Sequence, residues 1–272
     1  MSRIAQRFAE LKAANRTAFM PFITAGDPNA ETTCALLAKL PAAGADVIEL
    51  GVPFSDPMAD GPAIQASSLR ALDAGMTLQK VLDVVRRFRK IDQTTPLVLM
   101  GYYNPIHAYG TARFAKDAAE AGVDGLITVD LPPEEDEVLR LPATAQGLDI
   151  VRLATPTTDD VRLEAVLDGA GGFLYYVSIA GITGTKSFAE SDVRGAVARL
   201  KAASGLPCVV GFGMRTPEQA AGVAAFADGA VVGSAIVERM AAAGDKNERI
   251  RDALEFCASL AQSVHSARGV LE

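Results

Sequence analysis

Residues 124–154 read DGLITVDLPPEEDEVLRLPATAQGLDIVRLA. A short apolar run (DGLITVD, 124–130) enters a polar loop, a segment of helical period covers 133–146, and a second apolar run (DIVRLA, 149–154) follows. A strand, a crossover helix and a second strand at this spacing form a βαβ unit, whose two strands lie parallel.

The unit recurs along the chain. Further apolar runs stand at AFMPFIT (18–24), DVIEL (46–50), PLVLM (96–100), GFLYYVS (172–178), PCVVGF (207–212) and DGAVVGS (228–234), which brings the total to eight. Between them, helices are expected around 30–40, 62–90 (as two), 111–121, 158–168, 190–203 and 216–226, with a final pair at 234–242 and 246–267. Asp27-Pro28, Ser191-Asp192 and Thr216-Pro217-Glu218 supply helix-start signals, the last with a capping hydroxyl before a first-turn proline. AGAD (43–46), AGVD (121–124) and FADG (226–229) each end a helix and lead into a strand, as a glycine-bearing αβ turn does.

Eight strands alternating with helices give a parallel sheet, and eight is the number that closes into a (β/α)8 barrel. A doubly wound open sheet would carry GxGxxG after its first strand, where this chain has ThrAlaGlyAspPro. The opening segment MSRIAQRFAELKAAN has helical spacing at Ile4, Phe8 and Leu11 and is expected to plug the barrel's bottom. The fold class is therefore α/β, a (β/α)8 TIM barrel with an additional N-terminal helix and extra helices. With no linker-like or low-complexity block, residues 1–272 are expected to form a single domain.

The chain has 272 residues, 49% of them hydrophobic, enough to bury a large core. No stretch approaches the roughly 18 consecutive apolar residues of a membrane span. A net charge of −7 with dispersed basic residues argues against nucleic-acid binding. Cys34, Cys208 and Cys257 lie far apart without a CxxC, and His107 and His265 are the only histidines, so neither a zinc site nor a disulfide framework is expected. The N-terminal segment has acids and a helical spacing where a signal peptide has an apolar run and a cleavage site, and no transit peptide is expected. A cytoplasmic location is expected, or the plastid stroma were the source a plant or alga.

One acid stands out. In ADVIELGVPFSDPMADG (45–61), Glu49 sits among Val47, Ile48 and Leu50 near the end of the second strand, and Asp60 follows in a loop rich in proline and glycine. Catalytic groups of barrels gather at the carboxyl ends of strands. A carboxyl in an apolar barrel mouth has a raised pKa and suits proton transfer near neutrality. The plain alternative is a solvated, salt-bridged glutamate, although no basic partner is evident at neighbouring strand positions. Aspartate before glycine is also a common turn residue, so Asp60 alone decides little.

Three glycine-bearing loops come late: GITGT (181–185), GFGMRTP (211–217) and GSAIV (233–237). Glycines let backbone N–H groups approach an anion, a helix starting at Ser234 aims its N-terminus the same way, and loops after strands seven and eight often bind phosphate. Lys186 is a poor Schiff-base candidate because it lies in a loop, and no strand carries a lysine. His107 reads as a loop-packing residue. Tyr102 and Tyr175 fall at strand ends, in a pocket or in the core.

PFITAGDP (21–28), ELGVPFSDPMADGPAIQ (49–65), YYNPI (102–106), SIAGITGTK (178–186), GFGMRTPEQ (211–219) and GSAIV (233–237) together resemble the tryptophan synthase α subunit family, in the same order over about residues 16 to 238. The resemblance implies a lyase that cleaves indole-3-glycerol phosphate to indole and glyceraldehyde 3-phosphate. It also implies a β-subunit partner in an α2β2 assembly, with pyridoxal phosphate in that partner and no cofactor in this chain. It places the catalytic pair on Glu49 and Asp60, and phosphate contacts on Gly184, Gly213, Gly233 and Ser234. Phe22, Leu99 or Met100, Ile127, Tyr175 and Phe212 fall around the indole ring, and Thr183 on a mobile loop that helps close the site. The proline-bearing loop 53–62 is the expected partner contact. Competing readings are a stand-alone indole-producing lyase, a phosphosugar isomerase or epimerase, and an inactive barrel that only activates a partner.

Overall fold

The computed structural model of the chain describes residues 1–178, 190–211, 213–242 and 244–268. Its nine parallel strands are β1 (Ala18–Thr24), β2 (Ile48–Gly51), β3 (Leu97–Gly101), β4 (Gly125–Thr128), β5 (Asp149–Ile150), β6 (Arg152–Ala154), β7 (Leu174–Val177), β8 (Cys208–Gly211) and β9 (Gly229–Val232). Hydrogen bonding runs β5-β4-β3-β2-β1-β9-β8-β7-β6. Val151 alone separates β5 from β6, so both belong to the one apolar run DIVRLA. Its first half pairs with β4 (Leu126↔Ile150) and its second with β7 (Leu153↔Tyr175). That change of partner completes the ring, and the eight expected runs make a (β/α)8 barrel.

Side chains alternate between the two faces of each strand. One face turns outward to the helices and forms a core with Phe19, Ile48, Leu50, Leu97, Leu126 and Val210. The other fills the lumen with Met20, Val47, Val98, Ile127, Val151 and Val209. Ile4, Phe8 and Leu11 of helix Arg3–Ala13 join the lumen cluster, with the Phe8 ring 5.6 Å from that of Phe173. The N-terminal helix plugs the barrel as its spacing requires.

Most helices fall where their periods place them, and the 62–90 segment divides into Pro62–Asp73 and Leu78–Arg89 around Gly75, whose φ of +76° favours glycine. Three local expectations change. Helix Ala30–Leu37 is capped by Asn29, which accepts from Thr32 N at 2.9 Å, while Asp27 is buried in a two-bond contact with Arg70 (2.7 and 2.8 Å). Helix Glu190–Ser204 starts one residue before Ser191. His107 lies exposed in a short helix, Tyr103–Tyr109, and not in a loop.

The aspartates of the three αβ turns have a shared role. Asp46, Asp124 and Asp228 accept from Phe19 N (3.0 Å), Leu97 N (2.7 Å) and Cys208 N (3.0 Å), each a backbone donor at the start of a neighbouring strand. Side chains of the outer elements bind these same acids: Arg3 and Arg89 meet Asp124, the His265 ring meets Asp46, and Lys201 and Arg268 meet Asp228. Removing one partner of a buried pair strands the other, at a cost of about 3–5 kcal/mol. Asp124→Ala, which strands the buried Arg89, is therefore expected to lower the urea midpoint sharply. Asp160→Ala, whose carboxylate meets Arg199 while 87% exposed, should change stability by less than about 1 kcal/mol. Equal midpoints for the two variants would refute this ranking.

Candidate active site

Strand β2 sets Glu49 in register with Phe22 of β1 and Val98 of β3. Ile48 and Leu50 face the helices and Val98 faces the lumen, so the alternation carries Glu49 inward. It is 1% exposed, and neither carboxyl oxygen has a hydrogen-bond partner among the described residues. Glu49 is thus a buried acid without a salt bridge in the described structure. Burial first, and the nearby Asp60 charge second, push its pKa up to about 8.

Asp60 is half-buried at the end of the loop after β2. Its main chain is held on both sides: Asp60 N donates to Pro57 O (3.0 Å), and Gln65 Nε2 donates to Asp60 O (2.8 Å). Helix Pro62–Asp73 starts immediately after Gly61, with proline at its first position. Burial raises the Asp60 pKa to about 6, against a downward pull from the Tyr102 hydroxyl. A narrow pocket brings Asp60 together with Phe22, Met100, Tyr102, Ile64 and Val129.

Of the ring candidates, Phe22 and Met100 line this pocket, while Ile127 and Tyr175 lie in the lumen cluster. Met100 pairs with Gly51 and with Ile127, which belongs to the lumen cluster. Leu99 turns to the outer core, so Met100 is the lining residue of that pair. The Phe22 ring needs glycine beside it, because a Cβ on Gly51 would stand 2.5 Å from its Cζ. Tyr175 is packed as tightly against Gly211, where a Cβ would meet the hydroxyl at 2.3 Å. Burial, then the charges of Glu49 and Asp60, hold the Tyr175 phenol well above its ordinary pKa.

At the end of β9, Gly233 precedes helix Ser234–Ala241, whose first N–H groups have no partner within the helix. Gly233 also abuts the Phe22 side chain, a Cβ there falling 3.3 Å from it. Gly213 is exposed, with a φ of +66° and open space where a side chain would be. Thr183, Gly184 and Phe212 lie outside the described residues. Ile64 and Val129 join the site without having been singled out from the sequence. Val129 could have been found by counting two residues on from Ile127, whereas Ile64 carries no local signal.

A larger cavity, about 530 Å³, opens where β4 and β6 diverge, between Thr128, Val129, Arg152 and Leu153. It contains neither acid, and its buried charges, Asp136 and Arg152, pair with each other.

A (β/α)8 barrel with a protonatable acid in its lumen and a second acid at its rim defines a barrel with an acid–base site. Residues 8–265 match the profile of the family described as "Tryptophan synthase alpha chain". A tryptophan synthase subunit alpha from Legionella pneumophila str. Paris is 43% identical, with a TM-score of 0.91, over 97% of this chain and 98% of that one. A chain of Mycobacterium tuberculosis tryptophan synthase is 35% identical (TM-score 0.88, covering 97% and 98%). An Aquifex aeolicus VF5 chain is 34% identical (0.87, covering 97% and 100%). The chain belongs to the tryptophan synthase alpha chain family, lyases of tryptophan synthesis. Among the described residues, no helix is long and apolar enough to cross a membrane.

Proposed function

We propose that this chain cleaves indole-3-glycerol phosphate to indole and glyceraldehyde 3-phosphate by acid–base chemistry, working as the α subunit beside a β subunit that carries pyridoxal phosphate. The observation that carries the reading is the Glu49 carboxyl, buried in the lumen with no hydrogen-bond partner among the described residues, while Asp60 stands at its rim.

With a pKa of about 8, Glu49 holds its proton at neutral pH and can deliver it to C3 of the indole ring. The ring then carries positive charge, and Glu49, now ionised, takes the proton of the glycerol hydroxyl as the carbon–carbon bond breaks. Asp60, with a pKa of about 6, is ionised at the same pH. It accepts the ring N–H and stabilises the charge that develops there. Two carboxyls thus take different roles because their surroundings separate their pKa values.

Phe22, Met100, Ile127 and Tyr175 enclose the ring, with Phe212 and Thr183 completing the set. Gly213, Gly233 and Ser234, with Gly184, offer backbone N–H groups to the phosphate. Loop 53–62 is the proposed partner contact: Ser55, Asp56 and Met58 are exposed at its tip, Met58 by 85%.

Indole release from indole-3-glycerol phosphate, measured with and without a β subunit, tests the proposal. Release by the chain alone, rising when the β subunit is added, is the expected result. Full activity alone with no response to the partner would identify a stand-alone lyase. No indole under either condition would overturn the reading.

A further inference from the structure

Asp60 ends a loop whose tip stands in solvent, yet its proposed role needs a carboxylate held in place and ionised. Among the described residues it forms no salt bridge with any cation, so the hold comes from elsewhere. Tyr102 follows β3 directly and is 3% exposed. Its hydroxyl accepts from Ala59 N at 3.0 Å, one residue before Asp60. Its ring packs on Phe54 at 5.4 Å between centroids, so the same side chain grips the loop on both sides of the Ser55–Met58 tip.

We propose that Tyr102 is a positioning residue for Asp60, clamping the loop through Phe54 and Ala59 and directing its hydroxyl proton toward the Asp60 carboxylate. The inference rests on the role proposed above for Asp60. A phenol has one proton to donate and lone pairs to accept with. Here the Ala59 N–H fills the accepting role, which leaves the proton free for an acceptor nearby. Asp60 lines the same narrow pocket as Tyr102, and the Tyr102 hydroxyl draws its pKa down against the effect of burial. The hydroxyl keeps its own proton throughout the neutral range, because burial and then the Asp60 charge raise its pKa to about 12. Among the described residues, its one short hydrogen bond is from Ala59, and its influence on Asp60 acts over a longer distance.

The test compares pH–rate profiles of wild type, Tyr102→Phe and Asp60→Asn for indole release in the presence of the β subunit. For Tyr102→Phe we expect kcat to fall roughly tenfold to a hundredfold, the range for loss of a hydrogen bond to a charged group. KM should change little, and the acid limb of kcat should move to higher pH as Asp60 becomes easier to protonate. If Tyr102→Phe keeps the wild-type limb and rate while Asp60→Asn is crippled, Tyr102 is packing alone and this inference fails by itself. If Asp60→Asn is also near wild type, the role of Asp60 fails and the inference falls with it. Should circular dichroism show Tyr102→Phe unfolded, 3-fluorotyrosine at position 102 replaces it. That side chain keeps the shape and strengthens the donor, so the acid limb should move to lower pH; an unmoved limb overturns the proposal.

Discussion

Glu49→Gln is expected to abolish indole formation while leaving substrate binding intact. The two side chains have nearly the same shape, so the lumen is undisturbed, but an amide can neither deliver a proton to ring C3 nor remove one from the glycerol hydroxyl. A positioned acid or base contributes about 10²–10⁴-fold to rate. In the proposed mechanism Glu49 serves in both steps, so the loss should reach the upper end of that range. Calorimetric titration with indole-3-glycerol phosphate should show an affinity within a few-fold of wild type. Turnover within tenfold of wild type would remove Glu49 from the mechanism.

The same carboxyl is expected to set the alkaline limit of activity. It loses its proton above about pH 8, and Asp60 gains one below about pH 6, so kcat should be bell-shaped between those limits. Stability follows with the opposite sign from that of the usual salt-bridged carboxylate. The folded state keeps a proton on Glu49 that the unfolded chain releases above its ordinary pKa of 4.5. Folding therefore becomes less favourable as pH rises from about 4.5 to about 8, and the effect is level beyond that. At pH 7 the cost is about 3–4 kcal/mol, from the roughly 2.5 pH units between 4.5 and 7 at about 1.4 kcal/mol each. Glu49→Met, which fills similar space without polar atoms, should accordingly raise the urea midpoint at pH 7 and much less at pH 4. A stability cost at a site proposed to carry the chemistry is a familiar trade.

Glu49 was legible because its neighbours are apolar: Val47, Ile48 and Leu50 leave a strand residue no watery side to turn to. The choice between Leu99 and Met100 was not, since PLVLM has no polar residue to mark its faces and only the register with β2 decides it. The run DIVRLA was visible as one strand, but its change of partner at Val151 depends on how the ring closes. AGAD, AGVD and FADG showed a turn through their glycines. That their aspartates cap neighbouring strands is a contact across 20 to 27 residues that no local pattern encodes. The bond from Ala59 to Tyr102 spans 43 residues and was equally hidden. Chemistry that depends on burial could be read from the chain. Chemistry that depends on who meets whom required the fold.

Asp60→Asn is expected to be the second severe variant, and its pH profile should say more than its rate. Asparagine keeps an oxygen to accept the ring N–H, and the main-chain bonds to Pro57 and Gln65 do not involve the side chain. The loop should therefore hold its shape, and what disappears is the negative charge opposite the developing positive one. Loss of one preorganised electrostatic partner costs about 10²–10³-fold in kcat. The Asp60 charge is also one of the two causes that raise the Glu49 pKa. Removing it should move the alkaline limb of the residual activity to lower pH, and should remove the acid limb near pH 6 altogether. A residue that merely shaped the turn would leave both limbs where they were and the rate near wild type. A rate loss with both limbs unmoved would also separate Asp60 from Glu49, because the Asp60 charge is one of the two causes that raise the Glu49 pKa.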